Sequence, residues 1–484
     1  MSVRDLEPKA MWNHFADLNA VPRASKKEEE VIQFMIDFGK KLGLETIKDT
    51  AGNVVIKKPA SPGMENRKTI IMQSHLDMVH QKNSDTDFDF ATQGIDMRVI
   101  GDWVDANGTT LGADNGIGVA SIMTVLSSDT IVHPAVEAMF TIDEETGMTG
   151  AIHLDSSNFS GEILLNLDTE DDDEISIGCA GGIDTNTTYT CKTEELKSDS
   201  EVLSITIKGL VGGHSGMDID KERGNANKFM NRVLYHLHSM GEYQLISVDG
   251  GSLRNAIPRE SNCVLAVTNE NAEALKAEFE KIAGVIVTEF KTIEENVEFS
   301  IQTTTTDSKP ISNNDKVKIL HALYAVHNGV YRMSPDIQGL VEASSSLARI
   351  IVKDGEFITQ SLQRSSVEST KDDLANTIRG SFELMGCGVV QSGDYPGWQP
   401  NKDSAILDIM SKLYRDSFDE EPKIKACHAG LECGILLKHL PEVDMISFGP
   451  NIRAAHSPDE KCQISSVQKY WGYLIDTLQL IPTK

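Results

Sequence analysis

Five stretches of the chain end an apolar run with a histidine or a carboxylate. They are GlnSerHisLeuAsp with His75 and Asp77, GlyAlaAspAsnGly with Asp114, AspGluGluThrGly with Glu144 and Glu145, AsnLeuAspThrGlu with Asp168, and AlaAlaHisSerPro with His456. Gathered in one crevice as bare acids, these carboxylates would repel one another strongly, and a pair of divalent cations relieves that repulsion. Imidazole and carboxylate donors without thiolate suit zinc, for which cobalt or manganese can substitute. A two-metal centre polarises a carbonyl and brings the pKa of a shared water near neutrality. Of the adjacent Glu144 and Glu145, one can bind metal while the other reaches the water as general base. Asp77, two residues past His75, is placed to orient the imidazole.

Each signal alone has a plainer explanation. His75 could be a hydrogen-bonded core histidine, Asp168 a cap, Asp114 turn chemistry, the Glu144-Glu145 pair a solvated strand end, and His456 a loop residue. Their common placement is what argues for a site. In open α/β sheets, ligands bind in the crevice beyond the carboxyl ends of the strands.

The elements needed to build that crevice are legible. Apolar runs at 53–56, 69–72, 136–142 and 162–167 read as strands, and 27–42 and 116–127 read as helices. This alternation predicts an α/β domain with a mixed, largely parallel sheet flanked by helices. Near residue 198 the texture changes. The segment 201–210 alternates apolar and polar, as a strand with one solvated face does. A helix at 224–240, a strand at 261–268, a helix at 270–290, a further alternating segment at 297–305, a strand at 356–363 and a helix at 370–386 follow. Residues 198–393 therefore read as an inserted α+β lid or dimerisation domain. The first domain, 1–197, resumes over 394–484 with a helix at 402–416, a strand at 444–449 and a helix at 465–481. No repeat of fixed period stands out.

Composition narrows the class. A chain of 484 residues exceeds one hydrophobic core, and 45 basic against 73 acidic side chains leave a net charge of −28. That excess disfavours nucleic acid and anionic membranes as partners. The N-terminal MSVRDLEPKAMWNHF lacks the apolar core of a secretory signal, and no run approaches the ~20 apolar residues of a membrane span. Seven scattered cysteines without a CxxC pair argue against a disulfide framework or a thiolate zinc site. A cytoplasmic location is the expectation.

SerHisLeuAspMetVal, ThrLeuGlyAlaAspAsnGlyIleGly and AspGluGluThrGly resemble the signature of the di-zinc aminopeptidase and carboxypeptidase superfamily with an inserted lid domain. Further stretches are similar to the bacterial aminoacyl-histidine (Xaa-His, carnosinase-like) dipeptidases. Among them are CysAlaGlyGlyIleAsp, GlyGlyHisSerGly, LeuArgAsnAlaIleProArgGlu, TyrProGlyTrpGlnPro, HisAlaGlyLeuGluCysGly and HisSerProAspGlu. The resemblance runs from residue 58 to residue 460. It implies two zinc ions per subunit, with Asp114 bridging, His75 and Asp168 completing one coordination sphere, and Glu145 and His456 the other. By the same resemblance Glu144 is general base and acid. His214 helps stabilise the tetrahedral oxyanion, and Asn255 and Arg364 hold the substrate's terminal carboxylate. The implied activity is metal-dependent hydrolysis of dipeptides, preferring Xaa-His such as carnosine, in a homodimer formed through the lid domain. The GluAlaSerSerSer stretch at 342–346 departs from close relatives, where an asparagine is expected. His428, Cys427 and Glu432 take no assigned role.

Two other functions compete. A deacylase of N-acyl amino acids would use the same centre but need no free amino group. A catalytically silent binding protein would be expected to lack a ligand or the base, and this chain has every one of them.

Overall fold

The apolar run ahead of His75 forms strand Ile70–His75, buried along its whole length. Strands Val136–Thr141 and Ile163–Asn166 are likewise buried throughout, and Asp444–Ser447 nearly so. Unbroken apolar runs suit parallel strands covered on both faces. Ile70–His75 pairs in parallel with both Val136–Thr141 and Ile163–Asn166, which in turn pairs in parallel with Asp444–Ser447. Antiparallel margins complete an eight-stranded mixed sheet. Val54–Lys58 lies beside Val136–Thr141 with Glu45–Lys48 outside it, and Glu174–Cys179 joins Asp444–Ser447 with Lys423–Cys427 outside it. Helix Ala113–Ser127, apolar around its whole circumference and almost wholly buried, packs on Ile70–His75 and on helix Lys9–Asn19. Because the central strands are parallel, their carboxyl ends share one edge. His75 ends its strand there, with Glu144 and Asp168 a few residues past theirs.

This computed structural model describes residues 2–484. The chain forms two compact units. One comprises residues 2–178, Trp398–Ala426 and Leu431–Lys484, and the other Cys179–Gly397 and Cys427–Gly430. The second unit thus begins well before residue 198. Strand Gly181–Thr190, polar in sequence, hydrogen-bonds to Glu356–Ser365 of that unit, so pairing rather than apolar texture sets the boundary. Among the described residues, no helix is long and apolar enough to cross a membrane.

The second unit holds a nine-stranded sheet. Its main strands are β1 (Gly181–Thr190), β2 (Ser200–Lys208), β3 (Gln244–Gly250), β4 (Ser261–Thr268), β5 (Glu298–Thr303), β6 (Val341–Lys353), β7 (Glu356–Ser365) and β8 (Gly388–Tyr395). Four helices accompany them: α1 (Ala226–Met240), α2 (Asn269–Phe290), α3 (Asn313–Ala325) and α4 (Glu368–Glu383). The spatial order β5-β2-β4-β3-β6-β7-β1-β8 contains the same motif twice. β2-α1-β3-β4-α2-β5 is one βαββαβ unit, and β1-α3-β6-β7-α4-β8 is another. They meet edge to edge where β3 pairs antiparallel with β6. The first half is inserted between β1 and α3 of the second, which is why no fixed period shows in the sequence. All four helices share one core with the alternating Leu203, Ile205 and Ile207 of β2 and Cys263, Leu265 and Val267 of β4.

Candidate metal centre and anion pocket

In the first unit the acids and histidines converge. His75 Nε2 lies 3.1 Å from Asp114 Oδ1, 3.5 Å from Asp168 Oδ1 and 4.0 Å from Glu144 Oε2. His456 Nε2 lies 3.2 Å from Asp114 Oδ2 and 3.0 Å from Glu145 Oε2. Asp114 therefore turns one oxygen to each histidine. His75, Asp114 and Asp168 offer donor atoms within 4.8 Å of one another, as do Asp114, Glu145 and His456, and also His75, Glu144 and Glu145. His75 ends one strand and Asp168 lies two residues past another, the first turn of helix Ala113–Ser127 supplies Asp114, and loops supply Glu144, Glu145 and His456. Non-glycine residues with left-handed backbone flank those loops: Asp143 (φ 55°), Met148 (φ 50°), Ala454 (φ 56°) and His456 itself (φ 64°). Such strain gathers at functional sites.

Two observations test whether these residues fit a metal. Glu145 Oε1 and Asp168 Oδ1 are buried and accept no hydrogen bond, an arrangement that costs roughly 1–3 kcal/mol per group, more when charged, unless a ligand satisfies it. The electrostatics point the same way. Burial, with repulsion from Asp114 and Glu145, pushes Asp168 up to about 6. Burial first, then neighbouring carboxylates, holds Glu144 well above the ordinary range. Hydrogen bonds to Asp114 and Glu145 raise His456 to about 11. Burial opposes ionisation of Asp114, yet bonds from His456 and His75 keep it below the usual carboxylate range. Positive charge is thus what this crevice lacks, and mixed imidazole and carboxylate donors suit a divalent cation.

Asp77 acts more broadly than sequence suggests. Its carboxylate is 3.5 Å from His75 Nδ1, which sits closer, at 3.1 Å, to Asp77's own carbonyl. Its oxygens accept the backbone N–H of Glu144 (3.0 Å) and of Glu145 (3.3 Å) and the Ser25 hydroxyl (2.8 Å). It fixes the acidic loop as well as facing the imidazole. Glu432, unassigned from sequence, is fully buried and accepts from Gln73 Nε2 (2.7 Å) and Thr141 Oγ1 (2.8 Å). Asn166 Nδ2 donates to Gln73. This polar plug joins the three strands that deliver His75, Glu144 and Asp168. A polar residue inside each apolar strand (Gln73, Thr141, Asn166) was the signal available for it.

In the second unit, His214 Nδ1 accepts the N–H of Gly216 (3.2 Å) and of Met217 (3.0 Å), so Nε2 carries the proton. Arg364 Nη2 lies 3.4 Å from that Nε2. Two donors face each other without an acceptor between them. Burial and the nearby Arg364 charge lower the His214 pKa, which keeps the imidazole neutral. Arg364 is buried and donates through Nη1 to the Tyr395 hydroxyl (2.9 Å), while its Nε has no partner. His428 is also neutral here, its pKa pushed to about 3 by burial and then by Arg364, and it meets Ser344 Oγ at 2.7 Å. Gly216 is needed for closeness, since a Cβ there would stand 2.0 Å from the His428 carbonyl. Asn255 belongs to the same region: its carbonyl accepts from Ser215 N (2.8 Å), and its side chain is exposed. Donors facing one another without an acceptor between them are an arrangement that an anion would complete.

The description "Peptidase family M20/M25/M40" matches residues 71–479. The cytosol non-specific dipeptidase of Escherichia coli (strain K12) is 38% identical over 479 residues, covering 99% of each chain. The crystal structure of aminoacylhistidine dipeptidase from Vibrio alginolyticus superposes with a TM-score of 0.95 at 41% identity, covering 100% of this chain and 99% of that one. Aminopeptidase PepT from Bacillus cereus ATCC 10987, at 14% identity and a TM-score of 0.56 over 98% of this chain and 99% of that one, shares the fold. With the family description spanning most of its length, the chain belongs to peptidase family M20/M25/M40.

Proposed function

We propose that this peptidase is a cytoplasmic metal-dependent dipeptidase that prefers Xaa-His substrates such as carnosine (β-alanyl-histidine). The observation that carries the reading is Asp114, shared between two donor groups with Glu144 at their edge. Asp114 would bridge two cations, His75 and Asp168 holding one and Glu145 and His456 the other. Two zinc ions, or cobalt or manganese in their place, would supply Lewis-acid polarisation of the scissile carbonyl and a lowered pKa for water. Glu144 takes the proton from the attacking water and returns it to the leaving amine as the C–N bond breaks. Asp77 holds the backbone of Glu144 and so aims it. Names of similar proteins, aminoacylhistidine dipeptidase and cytosol non-specific dipeptidase, support dipeptides as the substrate class.

The anion pocket fits the end of such a substrate. A buried guanidinium lacking a carboxylate partner costs several kcal/mol, and a substrate carboxylate offsets that cost through a bidentate fork. Arg364 and Asn255 would bind the terminal carboxylate, and His214, donating through Nε2, the oxyanion. Arg364→Lys is therefore expected to raise KM for dipeptides at least tenfold while metal content stays at the wild-type level. An unchanged KM would remove Arg364 from the pocket.

Turnover of carnosine beside N-acetyl-histidine tests the reading. A rate at least tenfold higher for carnosine is expected. Preference for the acetylated compound would make the protein a deacylase, and cleavage of carnosine no faster than of dipeptides lacking histidine would remove the Xaa-His preference.

A further inference from the structure

Helix Ala113–Ser127 begins just before Asp114 with no side chain of its own as cap, since Gly112 occupies that position. The first N–H groups of a helix have no intrahelical acceptor. Here a distant carboxylate supplies one. Glu460 Oε2 accepts from the N–H of Leu111 (2.8 Å) and Gly112 (2.9 Å), and Oε1 from Ala113 (2.8 Å) and Asp114 (3.3 Å). Glu460 is 2% exposed, so these four donors saturate it in a dry setting where charge-assisted bonds are strong.

The carbonyl side of the same turn is held as firmly. Buried Arg23 donates to Gly112 O (2.6 Å), Leu76 O (3.1 Å), Asp77 O (3.2 Å) and Asn19 Oδ1 (2.9 Å). Gly112 is left-handed (φ 71°), and a Cβ there would stand 2.4 Å from the guanidinium. The turn bearing Asp114 is thereby clasped from both sides. Arg23 ties it to the segment just past His75. Glu460, four residues beyond His456, ties it to the loop of the other histidine.

We infer that Glu460 is a positioning residue for the metal centre: it fixes the backbone of Asp114 relative to His456, so that the two Asp114 oxygens face the two ligand groups at once. The inference rests on the reading of His75, Asp114, Asp168, Glu145 and His456 as metal ligands. Loss of the carboxylate frees four N–H groups and lets the turn relax, which loosens metal binding rather than substrate binding.

The test compares full-length wild type, Glu460→Gln, Glu460→Asp and Met410→Ala, each stripped of metal and titrated with zinc by equilibrium dialysis. Thermal unfolding and steady-state rates at saturating zinc accompany the titrations. Met410 is fully buried on helix Ala405–Phe418, so Met410→Ala measures what general destabilisation alone does. Glu460→Gln keeps the size but sets an amide N–H₂ against N–H donors. Zinc affinity about 10–100-fold weaker is expected, with kcat lowered and KM unchanged. Glu460→Asp is expected between that variant and wild type, and Met410→Ala with wild-type affinity despite a lower melting temperature. Wild-type zinc affinity in Glu460→Gln overturns the inference, as does an equal loss in Met410→Ala. Should Glu460→Gln not fold, Glu460→Asp decides by the same comparison. Failure of the wild type to bind zinc would instead remove the underlying ligand reading.

Discussion

Replacing Glu144 with alanine is expected to lower dipeptide turnover by about 10²–10⁴-fold while both metals stay bound. The separation is the informative part. Glu144 Oε2 approaches His75 at 4.0 Å, whereas Glu145 meets His456 at 3.0 Å and shares the Asp114 group with it. A ligand and a base so close in sequence can still be told apart. Loss of Glu145 should release metal, and loss of Glu144 should not. The backbone N–H of Glu144 stays held by Asp77 whatever its side chain, so the loop should keep its course in the variant. Near-normal turnover in Glu144→Ala would refute the assignment of the base, and parallel loss of metal and rate would make Glu144 a ligand.

Stripping the metals with a chelator should abolish turnover, and zinc should restore it. Stability should follow. A ligand present at about a thousand times its dissociation constant adds roughly 4 kcal/mol, which for a domain of this size corresponds to about 10 °C in melting temperature. The direction follows from the crevice: without cations, Asp114, Glu144, Glu145 and Asp168 repel one another, and buried oxygens of Glu145 and Asp168 stay unsatisfied. Turnover surviving exhaustive chelation, at a residual metal content far below one ion per chain, would defeat the metal-dependent reading.

Residues whose side chains the structure brings together were the legible ones. His75 closes an apolar strand, Asp168 follows one by two residues, and Asp114 and the Glu144-Glu145 pair stand beside glycines at a helix start and in a loop. Arg23 and Glu460 were not found that way. Both grip backbone groups, and a buried charge bonded to main-chain N–H or C=O leaves no periodic trace among its neighbours. The start of the second unit escapes the sequence for a related reason: β1 is rich in threonine with few apolar residues, and its membership depends on strands more than 150 residues later. The helix over 269–290 and the strands over 200–208 and 261–268 had periodicity strong enough to read locally.

Joining two βαββαβ halves in one polypeptide has an evolutionary consequence. In a pair of identical subunits every substitution is made twice, and each copy must tolerate it in both places. Here the first half carries His214 and Asn255 and the second carries Arg364 and Tyr395, so each can specialise without burdening its counterpart. Covalent linkage also holds the halves at a mutual concentration near the millimolar range for short flexible connections, independent of how much protein the cell makes. Dilution, which dissolves ordinary dimers, has no hold on this pairing.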